Sequence, residues 1–221
     1  MAALFYRLSP RLVLCSRDDL YEAGPGERVL LLESGEAFPL GHPSTRLSLE
    51  ILLAALAARP VSRLLDLGCG TGVLGLAAAA LGVDRVVGAD ISLTAVRVTR
   101  ENARVHHLAE TLQVVQGSGA SLKGPFDLVA ANLPWEVQVD QAPELDRLAG
   151  PQGRLLLSGF REHQEDSLLE YYRQRGRSLV GRLNKPFHHP ELPADLSFTW
   201  VAWLLAEKVG GRGLTGTLDL L

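Results

Sequence analysis

The chain has 221 residues, 47% of them hydrophobic and 21% charged, with a formal net charge of −3. That is enough for one α/β domain with its own core; it excludes a disordered chain and gives no global pull toward nucleic acid or an anionic surface. No apolar run approaches the roughly 20 residues of a membrane helix, and two cysteines, Cys15 and Cys69, make no disulfide framework.

Residues 1–42 hold short apolar runs, LFYRL, RLVLC and RVLLLES, divided by turn formers such as EAGPGE, and predict a few short strands or a hairpin. Arg7, Pro10 and Arg11 interrupt the opening stretch before any run long enough for a signal peptide, so a cytoplasmic protein is expected. From Pro43 the pattern changes. PSTRLSLEILLAALAARP predicts a helix with Ser44 as N-cap and Pro60 as stop. Strand patterns then fall at 63–67, 85–90, 112–116, 127–132 and 154–159, with helical patterns at 71–82, 92–107 and 161–176. This alternation predicts βαβ units and a mainly parallel sheet. SLVGRL (178–183) and SFTWVAWLLA (197–206) follow without a helix between them and are expected to pair antiparallel. The expected layout is an N-terminal extension over 1–42, a main domain over 43–208 and a loosely held Gly-rich tail over 209–221.

LLDLGCGTGVLG (64–75) stands where the first strand of the α/β unit meets its helix. Gly68, Gly70 and Gly72 remove Cβ atoms where a ligand must touch backbone, and the following helix points its first amides at whatever lies above. Gly70, Gly72 and Gly75 also satisfy G-x-G-x-x-G, which leaves a dinucleotide site open. Asp66 separates the two readings, because a carboxylate beneath a pyrophosphate is an electrostatic liability. Asp90 closes the next strand, where an acid can take both ribose hydroxyls of either nucleoside or merely cap the helix after it.

Asp66 to Gly72, D-x-G-x-G-x-G, resembles the first motif of class I S-adenosylmethionine-dependent methyltransferases. Asn132-Leu133-Pro134-Trp135 is similar to the N-(I/L)-P-(Y/F/W) motif of members that modify nitrogen. In that role the Asn132 carboxamide and the Leu133 carbonyl accept from the acceptor N–H, Pro134 fixes the carbonyl's direction, and Trp135 stacks on the substrate or holds an ammonium. AFPLGHPSTRLSLEIL (37–52) and GRLLLSGFREHQEDSLLEYYRQRG (153–176) resemble the PrmA group, which methylates ribosomal protein lysines and the N-terminal amine. The resemblance spans roughly 37–206. It implies a Rossmann-like, seven-stranded, mostly parallel sheet with helices on both faces and an antiparallel last strand. It implies S-adenosylmethionine over Thr45, Asp66, Gly68, Cys69, Gly70, Gly72, Asp90, Ile91, Ser118 and Asn132, and His42 looks like the group's loop histidine. Cys69 is also readable as simple packing.

Three departures follow. Only about 36 residues precede the match, where the group carries a substrate-recognition domain. N-L-P-W replaces the group's N-I-L. QGSGAS (116–121) stands where many class I members carry an acid that reads adenine, so Gln116, Ser118 or backbone must serve. The expected function is N-methylation of a protein amine or amide, on a ribosomal or translation-related partner, without metal or membrane. RNA or DNA adenine methylation is the first alternative, with the locally basic segment 173–185 as its contact. A nicotinamide oxidoreductase and a non-catalytic partner subunit follow. His188 and His189 are adjacent, point to opposite sides in an extended loop and have no third ligand in view, which argues against a metal.

Overall fold

The computed structural model describes residues 5–17, 21–33, 41–187 and 198–208. Two sheets and five α-helices are built from them. A small sheet holds β1 (Phe5–Ser9), β2 (Leu12–Ser16) and β3 (Arg28–Leu32). Strands β1 and β2 form an antiparallel hairpin, and β3 joins β2 in parallel. After α1 (Pro43–Ala58) come β4 (Arg63–Leu67), α2 (Val73–Ala80), β5 (Arg85–Asp90), α3 (Leu93–Val105) and β6 (Leu112–Gln116). Then follow β7 (Leu128–Asn132), α4 (Trp135–Ala149), β8 (Arg154–Arg161), α5 (Glu165–Gln174), β9 (Arg177–Phe187) and β10 (Phe198–Glu207).

The large sheet has seven strands in the order β6-β5-β4-β7-β8-β10-β9. Neighbours from β6 to β8 are parallel, and β10 runs antiparallel to both β8 and β9. The expected antiparallel last strand is present, and it lies inside the sheet rather than at its edge. Runs such as Leu64–Leu65 and Val129–Ala131 are apolar on both faces because both faces are covered, as parallel strands require. One core cluster packs α1, α2, α3 and the small sheet on one face. The other packs α4 and α5 around Phe160, Tyr172 and Trp203.

Three local features differ from the sequence expectation. The cap of α1 is His42, whose ring nitrogen accepts from Ser44 N at 3.2 Å, with Pro43 as the first helical residue, where a missing N–H costs nothing. Helix α4 starts directly after Pro134 and was not expected. Its inward face is Gln138, Ala142, Leu145 and Leu148, so a glutamine sits where the apolar periodicity needs a hydrophobe. Pro143 lies inside it on the exposed side, and the carbonyl it leaves without a helical donor is that of exposed Val139. Strand β9 continues to Phe187, past the expected end at 183. The tail 209–221 and His188 and His189 lie outside the described residues.

The two sheets are joined through α3. Asn102 accepts from Glu33 N at 3.1 Å and donates to Glu33 O at 3.0 Å and to Thr71 O at 2.9 Å. Arg28 adds a bond to the His106 carbonyl at 2.8 Å. Among the described residues no helix is long and apolar enough to cross a membrane.

Candidate functional site

The strand order reverses beside β4, with β5 on one side and β7 on the other, and the turns after these strands open a crevice there. The turn after β4 is the glycine loop. Gly68, Gly70 and Gly72 all have positive φ, at 73°, 55° and 80°. Gly68 and Cys69 donate to the Ala89 carbonyl at 2.8 and 3.1 Å, which bends the loop over β5. Thr99 on α3 donates to Gly70 O at 2.8 Å. A Cβ on Gly68 would collide with Leu133, and one on Gly72 with Thr99. At Gly70 a Cβ would meet nothing nearer than 4.0 Å. It would stand in open volume, which is where a ligand can lie against the chain.

Asp90 faces that volume from the end of β5. Its Oδ2 accepts from Gly70 N at 3.0 Å and its Oδ1 from Ser92 N at 2.9 Å. Ser92, not Asp90, caps α3, through Ala95 N at 3.3 Å. The carboxylate is therefore oriented by two backbone amides, and each oxygen keeps acceptor capacity toward the crevice. The resulting cavity has a volume of about 840 Å³. Among the described residues its walls carry the carboxylates of Asp90 and Asp140 and no lysine or arginine.

The opposite wall is the end of β7. Asn132 and Leu133 line the cavity, and Leu133 N donates to Ser158 O at 3.1 Å. The Asn132 carboxamide makes no hydrogen bond to any described residue, so its donors and its carbonyl remain available to a ligand. Gly159, with φ +94°, lies against Leu133; any side chain there would strike the Leu133 backbone. Trp200 of β10 completes this wall, its ring edge-on to His42 at 4.6 Å.

The model of the ribosomal protein L11 methyltransferase (PrmA) family matches residues 6–184. This chain belongs to that family. Two curated family members, each named ribosomal protein L11 methyltransferase, are those of Syntrophotalea carbinolica, 38% identical over 79% of this chain and 57% of its own, and Geotalea daltonii, 36% identical over 79% and 59%. The chain thus spans a little over half the length of these relatives. A crystal structure of a ribosomal protein L11 methylase from Lactobacillus delbrueckii shares the fold at a TM-score of 0.71 and 22% identity, covering 92% of this chain and 98% of its own. A putative RNA methyltransferase from Pyrococcus horikoshii does so at 0.60 and 20%, over 75% and 85%.

Within this PrmA-family fold the cavity gathers Gly68, Gly70, Asp90, Ile91, Ser118, Asn132, Leu133 and Pro134 from the sequence expectation, together with His42. Five expected residues stand off its wall. Thr45 is buried in the first turn of α1, donating its amide to His42 O at 3.0 Å, and the helical rotation puts Ser44 on the wall instead. Asp66 lies beneath the loop, accepting from Gly75 N at 2.9 Å. Burial, with the nearby charge of Asp90, pushes its carboxyl up to about 7, against that hydrogen bond. Cys69 is buried against Gly88, 3.5 Å from Thr99 Oγ1, and burial raises its thiol, so the packing reading fits it. Gly72 starts α2 behind the loop.

Trp135 is the main correction. As the first residue of α4 it packs toward Phe160, ring centroids 6.2 Å apart, in the cluster below the sheet. The aromatic on the wall is Trp200, 65 residues further along, which no local motif marked. Gln116 also turns away, donating to Ile91 O at 3.2 Å. Gly117 and Gly119 flank Ser118 on the wall. His42 lines the cavity, and burial lowers its pKa, which favours a neutral ring.

Proposed function

We propose that this chain transfers a methyl group from S-adenosylmethionine to an amine nitrogen of a protein side chain, a lysine of a ribosomal protein being the substrate its family relatives suggest. One observation carries the reading: Asp90 and the uncommitted Asn132 line a single cavity whose carboxylate and ammonium-type side chains, among the described residues, are Asp90 and Asp140 alone. Two carboxylates with no lysine or arginine among the described lining residues suit a cationic sulfonium ligand and an ammonium acceptor, and oppose a pyrophosphate. The open face at Gly70 and the amide-fixed Asp90 carboxylate fit the ribose and methionine parts of such a ligand.

S-adenosylmethionine, when bound, supplies the methyl group on a sulfonium. The chain's residues do the rest. Asp90 takes ribose hydroxyls, and Ile91, exposed beside it, covers the adenine together with the Gly117–Gly119 backbone. Asn132 Oδ1 and the Leu133 carbonyl accept from the acceptor's N–H groups and aim its lone pair. His42 and Trp200 form the aromatic side of the entry, which favours an alkyl ammonium by cation–π contact. An acceptor held as an ammonium gives one proton to water before its nitrogen has a lone pair to aim. S-adenosylhomocysteine is the leaving group of the transfer, and alignment supplies the rate, with effective molarities on the order of 10⁵ M or more. The same reading takes 43–208 as the catalytic unit, 1–42 as an extension and 209–221 as a tail, in a cytoplasmic enzyme.

Calorimetry with S-adenosylhomocysteine against NADH tests the cofactor, and tight NADH binding alone would overturn the reading. Transfer of a labelled methyl group to cell extract, divided by protease and by nuclease, tests the acceptor. Label released by protease is expected; label lost only to nuclease would establish the nucleic-acid alternative.

A further inference from the structure

The glutamine on the inward face of α4 is entirely buried. Its amide nitrogen donates twice, to Ala131 O at 2.7 Å and to Ser158 O at 2.8 Å. Ala131 is the residue before Asn132 in β7. Ser158 is the residue opposite Asn132 in β8, and its carbonyl also receives Leu133 N. The Gln138 backbone N–H donates to Pro134 O at 2.9 Å, so the same residue holds both ends of the Asn132–Pro134 segment. Its carbonyl oxygen, Oε1, has no hydrogen-bond partner among the described residues.

That asymmetry is informative. A buried amide costs desolvation at both ends, and here only the donor end is used. A hydrophobe of equal length would fill the space and suit the helix face better, but would leave two strand-end carbonyls without these donors. The Ala131 carbonyl belongs to the peptide plane before Asn132, and the Ser158 carbonyl accepts the N–H of the plane after it, that of Leu133. The two bonds therefore bear on both sides of the position from which the Asn132 side chain leaves the strand. Gly159 bears on the same segment from β8, since its missing side chain is what lets the Leu133 backbone lie flat against that strand.

We propose that Gln138 is a positioning residue for methyl transfer: its two N–H donors clamp the tips of β7 and β8 and hold Asn132 and the Leu133 carbonyl at the angle the acceptor nitrogen requires. This rests on the acceptor role proposed for Asn132. Gln138 itself does not line the cavity.

The test uses the full chain with Gln138→Met, which keeps volume and loses both donors, and Gln138→Glu, which keeps one donor only while protonated. For Gln138→Met, kcat should fall on the order of 10²-fold, as a misplacement of about 1 Å does. The acceptor KM and the S-adenosylhomocysteine Kd should stay within about threefold. For Gln138→Glu, activity relative to the unsubstituted chain at the same pH should rise as pH falls, because the protonated carboxyl regains a donor. An unchanged kcat in the folded Met variant overturns the proposal. So does a parallel loss of kcat and cofactor affinity, which would mean general loosening. A second readout is independent of turnover: hydrogen exchange at the Leu133 amide and the Asn132 side-chain resonance should both change in Gln138→Met. If the unsubstituted chain binds S-adenosylhomocysteine but methylates no amine, the function reading fails by itself, and unaltered exchange in the variant would then overturn the clamp.

Discussion

The two walls of the cavity are built in opposite ways. The glycine-loop wall comes from one contiguous turn: Leu67, Gly68 and Gly70 reach the cavity, and residues that never face it, Asp66, Thr99 and Asn102, hold that turn from behind. The acceptor wall is assembled from His42, Asn132, Gly159 and Trp200, which come from four separate segments. A contiguous wall can be stated as a motif. A dispersed one exists only after the sheet has formed, so its chemistry depends on strand register and on helix starts.

If the division is real, substitutions on the two walls should separate in their kinetics. Asn132→Ala should produce the largest effect, a loss of turnover on the order of 10²-fold or more, with S-adenosylhomocysteine affinity within a few-fold by calorimetry. Turnover near that of the unsubstituted chain would remove Asn132 from the reaction. Gly70→Ala should do the converse. Its Cβ enters the open volume above the loop, and the φ of +55° strains any L side chain there, so ligand affinity should fall about tenfold or more with a small drop in melting temperature, while the far-ultraviolet dichroism stays unchanged.

The tryptophans sharpen the comparison further. Trp200→Ala should raise the acceptor KM about tenfold without altering cofactor affinity, the size expected for losing one desolvated aromatic–cation contact. Trp135→Ala should lower the melting temperature and leave KM nearly unchanged, since its ring packs below the sheet. Equal KM effects at both positions would undo the correction. The smallest effect concerns pH. With the folded carboxyl of Asp66 at about 7 and its ordinary value at 3.8, the folded state keeps a proton that the unfolded chain releases across that window. Stability is thus greatest below the window and declines as pH rises toward 7. Asp66→Asn cannot titrate, so its melting temperature should decline by a few degrees less between pH 5 and 8 than that of the unsubstituted chain.

Most of the parallel sheet and the glycine loop were readable because their signals are local: five-residue apolar runs, three glycines in register, a capped helix. Helix α4 was hidden by Gln138, which breaks the apolar stripe, and by Pro143, whose lost hydrogen bond matters less on the solvent side than a helix pattern assumes. Trp135 was misread for a related reason. Once α4 begins at that residue, its side chain belongs to the helix–sheet interface, and the motif no longer decides where the ring points. Trp200 and Ser44 carry no distinguishing local pattern; only the pairing of β10 with β8 and the cap at His42 bring them to the cavity.

The placement of β10 between β8 and β9 has a consequence for how the molecule is made. During synthesis β8 and β9 emerge before the strand that separates them, so β8 keeps an open edge until residues 198–207 have left the ribosome. The nascent chain can complete its glycine-loop wall well before that. The acceptor wall waits for Trp200, so the last of the described strands in chain order is also the one that finishes the entrance.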